Sequence, residues 1–382
     1  MKLELIATAT FGLEAVVKRE IANLGYKIIK TEDGKVTYMG DERAVARSNL
    51  WLRCADRVLL KMGEFNAVDF EELFQQTKGI PWEELIPPDG KFTVTCTTVK
   101  SKLHSEPAIQ KIVKKAIVER LSGIYGIEQF EETGALYTVK ATLLKDRVTL
   151  TVDTSGSGLH KRGYRVRDVA APIKETLAAA MVSLTFWNKD RILVDPCCGS
   201  GTVPIEAAMI ARNIAPGLNR SFVSEEWEAV PASLWKEERR KAFEAMDWDK
   251  ELEIYAFDTD KHAISAAKEN AAEAGVDEDI RFVNGDGGKI SFPGREGGII
   301  ITNPPYGERI GDRESIDRLY EGFAAFLRSN PTWSLFAITP DKTIEQKAFG
   351  RPADRRRKLF NGRMEVCYYQ YHGKKPDRLT DK

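Results

Sequence analysis

The stretch LVDPCCGSGTVPIEAA, Leu193–Ala208, has the form of a short buried strand, a glycine-containing turn and the start of a helix. Open α/β sheets bind their ligands at such a junction, outside the carboxyl ends of the strands. Gly199 and Gly201 would let the backbone approach a ligand because they carry no Cβ. The dinucleotide fingerprint G-x-G-x-x-G is missing, since Cys197 stands where its first glycine belongs. The turn therefore predicts a nucleotide-like ligand and disfavours a nicotinamide dehydrogenase.

Acidic residues stand at or just after the ends of three successive predicted strands: Asp195, Asp258 and Asp286. A carboxylate at Asp258 can accept hydrogen bonds from two ribose hydroxyls, and Asp286 could meet an adenine amino group. Asp195 would repel a pyrophosphate but suits a cationic ligand end, such as the ammonium and sulfonium of S-adenosylmethionine. Taken singly, the glycine turn could be only a turn and Asp258 only a helix cap. Together, in this order, they predict an S-adenosylmethionine site.

A second motif, IITNPPYGERI at Ile300–Ile310, follows the fourth predicted strand. Two consecutive prolines stiffen the chain, which would hold the Asn303 side chain and the Pro304 carbonyl in a fixed relation. Two adjacent acceptors can bind both hydrogens of a planar amino group and direct its lone pair toward an electrophile. Tyr306 offers a face on which a base could stack. The motif predicts methyl transfer to an exocyclic amino group.

The rest of the chain divides into three predicted segments: an N-terminal α+β segment (1–56), a second α+β domain (57–155) and an α/β domain (156–382). In the last one, short apolar strands alternate with helices, which indicates a doubly wound, mostly parallel sheet. An Asn361-Gly362 turn between two final strands predicts an antiparallel hairpin at its end. The predicted parallel strands are Ile192–Asp195, Glu253–Asp258, Ile280–Val283, Gly298–Thr302 and Trp333–Thr339.

Composition excludes several classes of protein. The 382 residues carry no net charge, and the five cysteines form no C-x-x-C pair, so neither a disulfide framework nor a metal site is expected. We interpret the adjacent Cys197 and Cys198 as packing residues, and Trp227, Trp235 and Trp248 as local core. With neither a signal peptide nor an apolar run of the roughly 18 residues that span a bilayer, a cytoplasmic protein is predicted.

Three local basic runs are consistent with phosphate contacts, although any single run is more often a solvated face. The first covers residues 91–120, the second is HKRGYRVR at 160–167, and the third covers residues 351–358. The residues that we expect to contact RNA are Lys100, Lys102, Lys111, Lys114, Lys161, Arg162, Arg165 and, in the second motif, Arg309.

With these residues in place, the chain resembles the bacterial 23S ribosomal RNA guanine-N2 methyltransferases that carry an N-terminal THUMP domain. The resemblance covers nearly the whole chain and depends on six stretches: IATATFGLEAVVKREIANLG, SGSGLHKRGYR, APIKETLAAAMV, DPCCGSGTVPIEAAMIA, APGLNR and NPPYGERI. It implies a ferredoxin-like segment, a THUMP RNA-binding domain and a Rossmann-like class I methyltransferase domain.

The resemblance also implies roles for individual residues. Thr176 would reach the methionine end of the cofactor, and Asn303, Pro304 and Tyr306 would hold the guanine. The substrate would be large-subunit ribosomal RNA or an assembly intermediate. The residues that would bind S-adenosylmethionine are Thr176, Asp195, Cys197, Gly199, Gly201, Asp258 and Asp286.

Other functions stay open at this point. Asn-Pro-Pro-Tyr suits any planar amino group, so adenine N6, another RNA such as tRNA, or a protein glutamine could be the acceptor. The THUMP-like region disfavours DNA, and the basic runs disfavour a protein substrate. A ribosome-assembly factor that binds RNA without catalysis is the non-enzymatic alternative.

Overall fold

The computed structural model describes residues 2–167, 169, 172–306 and 313–375, without the side chains of residues 313, 347 and 348. The chain forms two compact units. The first comprises the chain up to Ala9, Val17–Leu159 and Arg220–Lys241; the second comprises Thr10–Val16, His160–Asn219 and the chain from Ala242 onward.

Fourteen strands and nine helices are present in the described residues. The strands are β1 (Leu3–Ala9), β2 (Lys27–Glu32), β3 (Lys35–Gly40), β4 (Ala55–Asn66), β5 (Lys91–Val99), β6 (Leu136–Leu144), β7 (Arg147–Asp153), β8 (Leu193–Asp195), β9 (Ile254–Asp258), β10 (Ile280–Asn284), β11 (Ile299–Thr302), β12 (Ser334–Thr339), β13 (Arg355–Asn361) and β14 (Met364–Tyr371). The helices are α1 (Glu14–Asn23), α2 (Glu42–Trp51), α3 (Phe70–Lys78), α4 (Glu106–Tyr125), α5 (Glu175–Ser183), α6 (Thr202–Ala211), α7 (Ala232–Glu244), α8 (Lys261–Glu273) and α9 (Arg313–Ser329).

The first unit is built on one seven-stranded sheet, in the order β2-β3-β1-β4-β7-β6-β5. Strand β4 is twelve residues long. It pairs with β1 over residues 55–60 and with β7 over residues 59–66. The predicted boundary between residues 56 and 57 therefore lies inside a strand, and the two predicted N-terminal segments share a single sheet.

Residues 220–241 depart from the predicted extent of the methyltransferase domain, because they pack in the first unit. The Trp227 ring stacks on Tyr137 with centroids 4.8 Å apart, and Trp235 stacks on Phe222 at 5.3 Å. Both tryptophans are buried, as predicted for core residues. Trp248 is not, since 56% of it is exposed and the guanidinium of Arg212 lies over its ring.

The second unit contains the doubly wound sheet, in the order β10-β9-β8-β11-β12-β14-β13. The first five strands are parallel. Strands β11 and β12 are buried along their whole length, which is typical of a parallel sheet covered by helices on both faces. Because β8 and β11 are neighbours in the middle of the sheet, the two sequence motifs end at the same edge.

The predicted C-terminal hairpin is confirmed. Strand β14 runs antiparallel between β12 and β13. The two loop residues are Gly362 and Arg363, one position later than the predicted Asn361-Gly362, since Asn361 still pairs with Met364. Across the described residues, no helix is both long enough and apolar enough to cross a membrane.

Candidate active site

A cavity of about 780 Å³ opens at the carboxyl edge of the second unit's sheet. The residues that follow β8, β9, β10 and β11 all contribute to its wall. Most of the predicted site residues line it, although they are spread over more than a hundred positions of sequence: Asp195, Cys197, Gly199, Asp258, Asp286, Asn303, Pro304 and Tyr306. The structure thus brings the glycine turn and the Asn-Pro-Pro-Tyr motif to one site.

The glycine turn is held by backbone hydrogen bonds to the neighbouring strand. The Cys198 amide donates to the Phe257 carbonyl at 2.9 Å, and the Gly199 amide donates to Asp258 Oδ2 at 2.9 Å. Gly201, with φ of +83°, precedes α6, and a Cβ there would lie 3.0 Å from the Cβ of Ala267. Glycine is required at this position because the backbone is left-handed and α8 packs against it.

Asp258 has a carboxylate that is fixed but not saturated. Its Oδ2 accepts the Gly199 amide, and its Oδ1 accepts the Asp260 amide at 2.9 Å. Each carboxylate oxygen can accept a second hydrogen bond, so both remain able to bind hydroxyl groups. Asp286, on the next loop, accepts the Gly288 amide at 2.9 Å.

Asp195 is the most enclosed acid of the site, with 1% of its surface exposed. Burial raises the pKa of its carboxyl from 3.8 to about 7, and the nearby Asp258 acts in the same direction. The Cys197 amide, which donates to Oδ1 at 3.1 Å, opposes that rise in pKa. A buried carboxylate with so little compensation favours a positively charged ligand group beside it.

The environment of the two cysteines in the turn disfavours their thiolate forms. Burial raises the pKa of both thiols well above the ordinary value, and the neighbouring carboxylates Asp195 and Asp258 add to this effect. Since the thiolate is the nucleophilic form, Cys197 and Cys198 serve as packing residues, and Cys197 also lines the cavity.

Thr176 lies in the first turn of α5, close in sequence to Pro172 and Ile173 of the cavity wall. It does not line the cavity itself. Its side chain is buried, and its hydroxyl oxygen has no hydrogen-bond partner among the described residues. An orphaned buried hydroxyl costs free energy, which fits a group that a ligand or a water completes.

Two arginines of the second basic run, Arg162 and Arg165, do not have the placement predicted for an RNA contact. Arg162 is 3% exposed and its Nε donates to Glu206 Oε1 at 3.2 Å, inside the second unit. The Tyr164 hydroxyl donates to the same oxygen at 3.1 Å. The expectation for Arg162 is therefore corrected: its charge neutralises a carboxylate of α6 that is fully buried. The sequence did contain a signal for this pairing, because Glu206 is an acidic residue in the otherwise apolar helix TVPIEAAMIA.

Arg165 is also turned inward, and it joins two parts of the site wall. Its Nε donates to Glu175 at 2.7 Å, and its Nη1 donates to the Ser200 hydroxyl at 3.0 Å. Its Nη2 donates to the Ile173 carbonyl and to the Thr202 hydroxyl, both at 3.0 Å. Arg165 thus links the segment before α5 to the glycine turn, a role that the sequence did not reveal.

Asn270 of α8 reinforces this link. Its Oδ1 accepts the amides of Val166 and Arg167 at 2.9 and 3.0 Å, and its Nδ2 donates to the Ser200 carbonyl at 3.1 Å. Arg165 and Asn270 therefore clamp residues 165–167 onto the glycine turn. We interpret both Arg165 and Asn270 as positioning residues.

The remaining predicted RNA contacts lie at surfaces or outside the described residues. Lys161 is exposed in the second unit, and Arg309 falls within residues 307–312, which the structure does not describe. In the first unit, four predicted lysines are exposed: Lys100, Lys102, Lys111 and Lys114. Among the described residues, no group of three His, Cys, Asp or Glu side chains is arranged to hold a metal ion.

Three family models match successive parts of the chain. The UPF0020 family, described as the RMKL-like methyltransferase domain, matches residues 162–370. The RlmL ferredoxin-like domain matches residues 4–59, and the THUMP domain matches residues 67–153.

Two curated proteins illustrate the relatives. "Putative RNA methyltransferase YpsC" of Bacillus subtilis is 49% identical over 99% of this chain and 98% of that protein. "Ribosomal RNA large subunit methyltransferase K/L" of Syntrophotalea carbinolica is 34% identical over 95% of this chain and 52% of that protein. The chain thus spans about half the length of the second relative.

Two solved structures share the fold along almost the whole chain. A Listeria monocytogenes protein, described as a predicted N6-adenine-specific DNA methylase, has a TM-score of 0.93 and 47% identity over 98% of this chain and 97% of that one. "SMU.472, a putative methyltransferase complexed with SAH", has a TM-score of 0.92 and 43% identity over 98% and 99%. The chain therefore belongs to the RMKL-like methyltransferase family, with an RlmL ferredoxin-like domain and a THUMP domain before the methyltransferase domain, and its cofactor is S-adenosylmethionine.

Proposed function

We propose that this protein transfers a methyl group from S-adenosylmethionine to the exocyclic N2 amino group of a guanine in 23S ribosomal RNA or a large-subunit assembly intermediate. The observation that carries the proposal is that three cofactor-type carboxylates and the Asn-Pro-Pro-Tyr motif line one cavity. We further propose that it acts in the cytoplasm.

On the cofactor side, each carboxylate matches one part of the ligand. Asp258, held by two amides, would accept hydrogen bonds from the ribose hydroxyls. Asp286 would bind the adenine amino group, and Asp195, together with the orphaned hydroxyl of Thr176, would bind the cationic methionine end. When bound, the cofactor supplies an electrophilic methyl group.

On the acceptor side, Asn303 and the Pro304 carbonyl follow the buried end of β11. An amino group on a heteroaromatic ring is a poor nucleophile because its lone pair is delocalised. Accepting both of its hydrogens would orient that lone pair, so positioning and electrostatics provide the catalysis. Tyr306 would stack on the base after it leaves its helix.

RNA, rather than DNA, is favoured by the THUMP match at residues 67–153 and by the exposed lysines within it. Ribosomal RNA is favoured by the name of the K/L relatives. Adenine N6 is the second candidate, because the motif suits that amino group equally and the Listeria structure carries a DNA adenine methylase description.

The test is tritiated methyl transfer to unmodified ribosomal RNA under single-turnover conditions, followed by digestion to nucleosides. We expect N2-methylguanosine as the product; N6-methyladenosine would establish the second candidate instead. Asn303→Ala should lower the rate at least about a hundredfold, the usual scale for one preorganised polar partner. Its cofactor affinity should stay normal, whereas Asp258→Ala, the matched control, should weaken cofactor binding by about 1–3 kcal/mol. Near-normal methylation by Asn303→Ala would contradict the mechanism.

A further inference from the structure

The tip of the β13–β14 hairpin projects beyond the carboxyl edge on which the candidate active site lies. Thr302, the last residue of β11, pairs with Ala337, and Ala337 pairs in turn with Tyr369 of β14 and through it with Arg356 of β13. Strand β13 continues for five residues past that row, to Asn361. At about 3.3 Å per residue, the hairpin extends roughly 16 Å further than the strand that carries the motif.

Two aromatic rings meet on this hairpin. Phe11, in a segment that belongs to the second unit, packs edge-to-face on Phe360 of β13, with centroids 6.3 Å apart and planes at 76°. Phe11 is nevertheless 48% exposed. An aromatic ring that is held in place and yet exposed is suited to stack on a nucleic acid base.

The Phe11 segment is held in place rather than resting loosely. The Gly12 carbonyl accepts a hydrogen bond from Arg357 Nη1 at 2.8 Å. A Cβ at Gly12, where φ is +90°, would lie 2.9 Å from the Lys358 carbonyl oxygen, so only glycine allows this close approach. The Phe11 ring is thus presented in a fixed position.

The hairpin carries more positive than negative side chains. Residues 355–365 contain five cations and one acid. Lys358 Nζ lies 5.6 Å from the centre of the Phe360 ring while pairing with Glu365 at 2.7 Å, and its side chain stays half exposed. Arg363 occupies the exposed loop. Aromatic faces among cations are how proteins bind single-stranded nucleic acid: bases stack and phosphates pair.

We propose that Phe11, Phe360, Lys358 and Arg363 form a binding surface for single-stranded RNA that flanks the target nucleotide. This proposal rests on the proposed function, because it assigns the strand beside the flipped base to the hairpin. Strands β11 and β13 are three positions apart in the sheet, or about 14 Å. The surface therefore lies within the reach of a strand only a few nucleotides long.

The first experiment measures binding of a single-stranded oligoribonucleotide to the full chain by fluorescence anisotropy. Phe11→Leu keeps apolar packing but removes the aromatic face, so RNA affinity should fall at least about fivefold. Phe11→Trp should retain affinity, which separates stacking from folding. Arg363→Gln should reduce the salt dependence by about one phosphate contact. Arg281→Gln is the matched control, since Arg281 is an exposed arginine on the opposite edge strand, and it should change nothing.

The second experiment places a photoreactive phenylalanine analogue at position 11 and maps the crosslinked nucleotide. We expect it within about four nucleotides of the methylated base, the scale of the smallest single-strand sites. Crosslinks only at distant nucleotides, or normal RNA binding by both Phe11→Leu and Arg363→Gln, would overturn the proposal and leave the surface to a protein partner. If the wild-type protein methylates a different base, that result contradicts the proposed function but not the RNA-binding surface. The binding and crosslinking results do not depend on which atom is methylated.

Discussion

Residues 91–120 contain seven cations and two acids, and residues 160–167 contain four cations and no acid. In the first unit, Lys111 of α4 is exposed, and Lys114 of the same helix stays half exposed while pairing with Glu132 at 3.5 Å. In the second unit, Arg162 and Arg165 turn inward to the carboxylates of Glu206 and Glu175. Positive charge thus serves two purposes, one electrostatic and one structural, and the purpose depends on which acids the fold brings near.

The kind of cation differs between the two stretches as well. The cations of residues 91–120 are mainly lysines, whose charge is a compact point on a flexible side chain. The inward-turned cations of residues 160–167, Arg162 and Arg165, are both arginines. The planar guanidinium of arginine donates several hydrogen bonds in fixed directions. Arg165 uses this geometry to contact Glu175, Ser200 and Thr202 at once.

The largest effect is expected from breaking the buried pair. Arg162→Ala leaves the Glu206 carboxylate buried without its cation, so the free energy of unfolding should fall by about 3–5 kcal/mol. Urea unfolding followed by tryptophan fluorescence measures this. The double variant Arg162→Met with Glu206→Leu should recover most of the loss. Normal stability with impaired RNA binding would restore Arg162 to the RNA-contacting group.

A smaller and more specific effect is expected at Arg165. Arg165→Gln should weaken S-adenosylmethionine binding roughly tenfold or more, because charged hydrogen bonds that hold the turn are lost, while RNA affinity stays unchanged. Calorimetry measures the first and a filter-binding assay the second. The matched control is Arg167→Gln, whose ion pair with Glu269 is exposed and whose cofactor affinity should be normal. If RNA affinity falls instead, the clamp interpretation is wrong.

Burial also controls the ionisation of Asp195 in the candidate active site, and cofactor binding should therefore depend on pH. With a pKa of about 7, Asp195 loses its charge as the pH falls, so cofactor affinity should drop up to about tenfold per unit between pH 7 and 5.5. The Asp195→Asn variant should bind the cofactor weakly, and its affinity should not vary with pH over this range. The stability of the unliganded protein should show the opposite trend and increase as the pH falls. Because folding raises this pKa, the contribution of Asp195 to stability is fully present below pH 4 and is lost as the pH rises through 7.

The smallest effects are expected at the exposed lysines. Lys111→Gln and Lys114→Gln should each leave stability within about 0.5 kcal/mol of wild type. Each should lower the slope of log affinity against log salt by about one if the lysine contacts a phosphate. Titrations of ribosomal RNA at several salt concentrations measure this slope. An unchanged slope for both variants would remove α4 from the RNA-binding surface.

Local sequence patterns were sufficient for most of the second unit's elements. The predicted strand Glu253–Asp258 is observed as β9, and the predicted Gly298–Thr302 is observed as β11. Short apolar runs between amphipathic helices have few alternatives, since parallel strands must be covered on both faces. The first unit was harder to predict: β2 alternates too weakly to stand out, and β4 runs through the predicted boundary at residue 56.

The candidate site divides in the same way. The order of residues alone was enough to predict that Asp195, Asp258, Asp286 and Asn303 lie together at one cavity. Each stands at or just after the end of a strand, and the carboxyl ends of parallel strands meet at one edge. Nothing local distinguishes Arg162 from Lys161, its neighbour in the chain. Whether a cation is buried depends on a carboxylate such as Glu206, 44 residues away, and only packing of α6 against that segment brings the two charges together. Long-range pairing, which no short window of sequence contains, decided which positive charges hold the fold and which remain for RNA.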